Sequence, residues 1–175
     1  MRYDRQTMLP EMGKEGQEKL RKASVLLVGV GGLGSPIALY LTAAGIGTLG
    51  IMDSDIVSLT NLQRQVLYTE SELDKVKTEC AHKRLSAINS EVNILSYPYK
   101  LTKENADEII SKYDLVVGVC HGLPIWPNRS KNPLLYHGGR LRYRQYGRME
   151  PNADVAVGHW GCHFGGGFVA RGWCD

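Results

Sequence analysis

Apolar positions along the first two thirds of the chain alternate between two kinds of pattern. The continuous run Val25, Leu26, Leu27, Val28 reads as a buried strand, and a second run from Leu49 to Met52 repeats it. Between them Ile37, Tyr40, Leu41 and Ala44 recur at helical spacing, with Ser35 suited to the N-cap, Pro36 to the first helical position and Gly45 to the close. A charged helix is expected ahead of the first strand, over Lys14 to Lys22. Another is expected over Lys75 to Ile88, with Val76, Cys80, Leu85 and Ile88 on its apolar side, behind the capping-box pair Thr69 and Glu72. Strands follow at Val92 to Tyr97 and Asp114 to Val119, separated by a helix from Lys103 to Lys112 with Ala106, Ile109 and Ile110 inward. Strand and helix in alternation predict an α/β fold, a doubly wound parallel sheet of Rossmann type. The first and fourth strands should flank its switch point, so that the tips at Gly29 to Gly34 and Cys120 to Gly122 face one crevice.

Past Gly118 the pattern fades, and composition shifts with it. All three tryptophans, three of four cysteines and His121, His137, His159 and His163 lie there, with only Glu150, Asp154 and Asp175 of the eighteen acids. The expected organisation is a nucleotide-binding domain over 1–117 and a degenerate continuation over 118–175, the eroded or frame-damaged end of a longer gene. Leu134, Leu135 and Tyr136 are read as a fifth strand covering the open edge of the sheet. Charge changes the picture little: 43% hydrophobic and 22% charged residues suit a soluble globule, and a net charge of +3 gives no argument for nucleic acid. The polar N-terminus offers neither a signal peptide nor a membrane span, and four irregularly spaced cysteines fit a reducing compartment, so a cytoplasmic location is expected.

Candidate chemistry begins where the first strand ends. Gly29, Gly31 and Gly34 have the G-x-G-x-x-G spacing of a strand that turns into a helix whose N-terminus takes a phosphate. Asp53, at the end of the second strand, stands where a carboxylate accepts bonds from a ribose hydroxyl. Asp55, Asn61, Arg64 and Gln65 crowd just beyond it. Lys77 sits near a helix start, where the dipole disfavours a cation and a nearby anion would explain it. From these residues alone, both ATP and a dinucleotide remain open. Arg2 and Arg5, bracketing Tyr3 and Asp4, read as a solvated arm.

The segments RYDRQ, GKEGQEKLRKASVLLVGVGGLGSP, MDSD, SLTNLQRQVLY, the Lys75-Val76-Lys77 turn and YDLVV together resemble the ThiF/MoeB/HesA adenylyltransferases, relatives of the ubiquitin-activating enzymes, over residues 1 to about 117. The resemblance implies that ATP, with Mg²⁺, activates the C-terminal glycine carboxylate of a small ubiquitin-like sulfur-carrier protein ending in Gly-Gly. It implies Gly29, Gly31, Gly32 and Gly34 at the phosphates, Asp53 at the ribose, and Asp55, Asn61 and Gln65 in the nucleotide site. Arg64 and Lys77 would face the triphosphate as catalytic cations, and Arg5 would be lent across a homodimer interface. Adenylation independently calls for such cations, because a carboxylate must attack a phosphate and the two anions repel.

The resemblance breaks at the fourth strand's end. Where the family reads D-x-x-D-N, this chain reads Gly118, Val119, Cys120, His121, Gly122, so that a histidine replaces the metal-associated aspartate. Ile125 and Trp126 stand for the family's T-R, and Arg142 and Arg144 for small glycines, although Gln145 aligns. Two further readings follow: an impaired relative that binds nucleotide or partner without turnover, and an NAD-binding oxidoreductase. The second is disfavoured because a pyrophosphate held by backbone N–H groups does not call for three cationic side chains. His159, Cys162, His163 and Cys174 lack the paired spacing of a zinc site, and no tail cysteine has an activating neighbour.

Overall fold

The computed structural model describes residues 2–119 and the backbone of two further strands, 134–137 and 140–143. Two helices, α1 (Asp4–Thr7) and α2 (Gly13–Lys22), precede β1 (Ser24–Val28). Then come α3 (Gly34–Ala44), β2 (Thr48–Met52), α4 (Lys77–Ile88), β3 (Asn93–Tyr97), α5 (Lys103–Ile110), β4 (Leu115–Gly118), β5 (Leu134–His137) and β6 (Arg140–Tyr143). The sheet order is β3-β2-β1-β4-β5-β6, parallel throughout except for the antiparallel β5–β6 pair. The chain thus builds outward from β1 on one side, then returns to place β4 on the other. The carboxyl ends of β1 and β4 form the switch point, as the sequence pattern requires.

Both faces of the central strands are buried, which is why they read as unbroken apolar runs. Val25, Leu27, Leu49 and Ile51 pack in one cluster with Ala38 of α3 and Cys80, Ala81 and Leu85 of α4. Leu26, Val28, Met52 and Val116 pack in another with Ala106, Ile109 and Ile110 of α5. Position 134–137 does add a fifth strand, with Leu115 opposite Leu134 and Gly118 opposite His137. The strand at Arg140–Tyr143 was not expected, because four residues are too few to display a period. The adjacent Gly138-Gly139 between two short runs is the hairpin signal available in the sequence.

Three local expectations are corrected. Helix α3 starts at Gly34, with Leu33 as its cap residue, so Ser35 is inside the first turn and bonds carbonyls instead of capping. The Thr69–Glu72 capping box exists but closes a separate 3₁₀ turn, Glu70–Glu72. Helix α4 waits until Lys77 because Asp74 and Lys75 spend their backbone groups on Val57: Asp74 N–H donates to Val57 C=O, and Val57 N–H donates to Lys75 C=O.

The N-terminal arm is docked by specific hydrogen bonds, while Arg2, Asp4 and Arg5 stay exposed. Arg2 donates to Ile88 C=O (3.0 Å), and Gln6 and Gln17 both donate to Ala44 C=O (3.1 and 3.0 Å). These are the end carbonyls of α4 and α3, which have no partner within their own helices. The Tyr3 ring lies against Gly45, whose φ of 83° closes α3, and a β-carbon there would overlap the ring. The described residues contain no helix long and apolar enough to cross a membrane.

Candidate functional site

The site is built on the loop from Gly29 to Gly34, between β1 and α3. Gly29 turns the chain with a φ of 98°, a conformation that disfavours any other residue. At Gly34 a β-carbon would overlap the Gly29 carbonyl oxygen and press on Val119 at the tip of β4, so glycine lets the helix start sit against both strand ends. The N–H groups of Gly31, Gly32 and Leu33 donate to no acceptor among the described residues. They are free donors of the loop that leads into the N-terminus of α3, and such loop N–H groups together with a helix start suit an anion.

The polar residues after β2 close over this loop. Asp53 accepts Val30 N–H through one carboxylate oxygen and Asp55 N–H through the other, each at 2.9 Å. A carboxylate has lone pairs beyond these two bonds, so Asp53 braces the loop and keeps capacity for a ribose hydroxyl. The Gln65 amide, 4% exposed, donates to Asn61 Oδ1 (2.9 Å) and lies 3.5 Å from where a β-carbon of Gly31 would be. Its Oε1 is buried without a partner among the described residues. Arg64 lays its stem along Gly32 and keeps its head exposed, donating only a long 3.4 Å bond to Thr60 C=O. Lys77, 2% exposed, donates from Nζ to Asp55 Oδ2 (3.0 Å). A buried ammonium paired with one mostly exposed carboxylate is a cation held ready at the first turn of α4.

Gly29, Gly31, Gly32, Gly34, Asp53, Asp55, Asn61, Arg64, Gln65 and Lys77 gather here, and Arg5 does not. That residue is exposed on α1, and the arm carrying it is tied to the far ends of α3 and α4. Eleven residues of α3 at ~1.5 Å rise put the arm about 16 Å from the glycine loop. Cys120, His121, Gly122, Ile125, Trp126, Arg144, Gln145, His159, Cys162, His163 and Cys174 lie outside the described residues. No group of three or more potential metal ligands occurs among those described.

Sequence reasoning missed Tyr68. Its ring is buried (5% exposed), and its hydroxyl donates to Val30 C=O at 2.9 Å. Burial, and then the negative charge of Asp53, push this hydroxyl far above the ordinary phenol value, so it remains a donor. The signal lay in its place at the end of the polar cluster, since a buried tyrosine must satisfy its hydroxyl.

A sequence profile described as the ThiF family matches residues 3–121. The chain belongs to the ThiF family. It is 50% identical over 123 residues to a sulfur carrier protein adenylyltransferase of Thermus thermophilus, which covers 70% of this chain and 45% of that protein. It is 48% identical over 124 residues to the adenylyltransferase and sulfurtransferase MOCS3 of Xenopus laevis, covering 71% and 28%. The chain thus spans less than half the length of these curated ThiF-family relatives. Among solved structures, E. coli tRNA N6-threonylcarbamoyladenosine dehydratase in complex with AMP superposes with a TM-score of 0.59 at 29% identity, over 61% of this chain and 44% of that one. E. coli MccB with ATP gives 0.56 at 32% identity, over 62% and 32%. Relatives that bind adenine nucleotides thus share the fold of this ThiF-family domain.

Proposed function

We propose that the crevice binds ATP and transfers its adenylyl group to the C-terminal glycine carboxylate of a small ubiquitin-like sulfur carrier. The observation that carries this reading is the meeting of free loop N–H groups with Arg64 and buried Lys77. In the reaction a carboxylate oxygen bonds to the α-phosphorus, the bond from that phosphorus to the bridging oxygen breaks, and pyrophosphate leaves. No nucleophilic side chain is needed. The protein's work is to align two anions and to neutralise them, which is what fixed N–H donors and two cations do. Asp53 would hold the ribose, and Asn61 and Gln65 would line the triphosphate.

Magnesium fits the described donors in one way. Both oxygens of Asp53 already accept backbone N–H groups, whereas Oδ1 of Asp55 has no described partner. Mg²⁺ is commonly held by one or two carboxylates and the phosphates themselves, so Asp55 is the residue that would hold it, and the ion would supply charge neutralisation. Arg5 is too distant to serve its own site, and a second copy of the chain would have to supply it, consistent with a homodimer. Residues 1–117 are read as the nucleotide-binding unit.

The test is carrier-dependent exchange of labelled pyrophosphate into ATP. Wild-type protein with Mg²⁺ and a carrier ending in Gly-Gly should exchange, and Arg64→Ala should lower the rate at least 100-fold. ATP binding without exchange would establish the alternative, a nucleotide-binding relative that does not turn over.

A further inference from the structure

Resting on the reading of the loop as a phosphate cradle, we propose that Tyr68 is a positioning residue that aims the Gly31 N–H at the nucleotide's phosphates. A peptide unit is planar and trans, so the carbonyl of one residue and the N–H of the next point in opposite directions. Tyr68 grips the Val30 carbonyl from the buried side at 2.9 Å. The Gly31 N–H on the same peptide is thereby turned away from the core, and no described group accepts it. The preceding peptide is held too, because Val30 N–H donates to Asp53. The following one is held because Gly31 C=O accepts both the Ser35 N–H (2.8 Å) and the Ser35 hydroxyl (2.6 Å). Three successive peptide planes are thus set by three different residues.

The middle plane is the vulnerable one. It joins Val30 to a glycine followed by a second glycine, where rotation of the peptide meets little steric resistance. Among the described residues only the Ser35 hydroxyl joins Tyr68 at the Val30 carbonyl, at 3.4 Å, and that hydroxyl is already committed to Gly31. Without Tyr68 the plane is free to flip, which would present a carbonyl oxygen to the phosphates in place of a donor. The buried ring cannot touch the nucleotide itself, so its effect is exerted through the backbone.

The experiment compares binding of ATP and adenosine by the full chain. Tyr68→Phe should weaken ATP about tenfold while leaving adenosine within twofold, because adenosine has no phosphate to lose. Adding Ser35→Ala to Tyr68→Phe should weaken ATP further. An unchanged ATP affinity in Tyr68→Phe, or equal weakening of ATP and adenosine, would overturn the proposal. A wild-type protein that does not prefer ATP to adenosine would instead remove the phosphate reading on which it rests.

Discussion

Lys77 shows how a single residue links fold and function. Its sequence position suggested an anion nearby, and among the described residues it pairs with Asp55, at 3.0 Å. The pairing is unequal: the lysine side chain is 3% exposed and the aspartate 65%. Asp55→Asn keeps an acceptor but leaves a buried ammonium without its counter-charge, and it should therefore lower stability by about 1–2 kcal/mol, moderated by solvent at the aspartate. ATP without added Mg²⁺ should then raise the melting temperature of Asp55→Asn by more than that of the wild type, since the phosphates would replace the missing counter-charge. Equal stabilisation of the two proteins would show that Lys77 does not face the nucleotide. Residues of this kind were legible because charge at a helix start is anomalous. Tyr68 was not, because a tyrosine after an apolar pair looks like ordinary core until its hydroxyl acceptor is seen.

At the scale of elements, strands and helices followed from apolar periodicity, and misjudgements fell where backbone groups had competing partners. Lys75 and Val76 looked helical by composition, yet pairing with Ile56 and Val57 held them extended. Ser35 looked like a cap because of Pro36, yet the helix begins two residues earlier, where Gly34 allows close packing. The N-terminal arm looked solvated because its residues are polar, but the ends of α3 and α4 are polar as well and require donors. Asn89, fully buried, is the joint of that arrangement: its amide donates to Thr42 C=O (2.9 Å) and to the Tyr3 hydroxyl (2.7 Å). Asn89→Ala should cost about 2 kcal/mol in chemical denaturation and raise amide exchange across α1, because it removes two hydrogen bonds of a buried amide, leaving Thr42 C=O only the Gly45 N–H among the described residues, and loosens the arm. A change below about 0.5 kcal/mol would mean that the arm is held by other contacts.

For the whole molecule, topology does most of the work. Building outward from β1 and returning with β4 brings the glycine loop, the segment after β2 and the start of α4 to one end of the sheet. The arm with Arg5 is left at the other end. That division explains why the candidate site residues could be grouped from their spacing, whereas the place of Arg5 required the fold. The free amides between β1 and α3 lie at the first of these ends, and phosphate binding in the crevice depends on them. The most direct measurement is the ¹H–¹⁵N spectrum of the full chain titrated with ATP and, separately, with adenosine. The amide resonances of Gly31, Gly32 and Leu33 should move with ATP and stay in place with adenosine. If they are unmoved by ATP, or move equally with both ligands, the loop is not a phosphate cradle and the account fails.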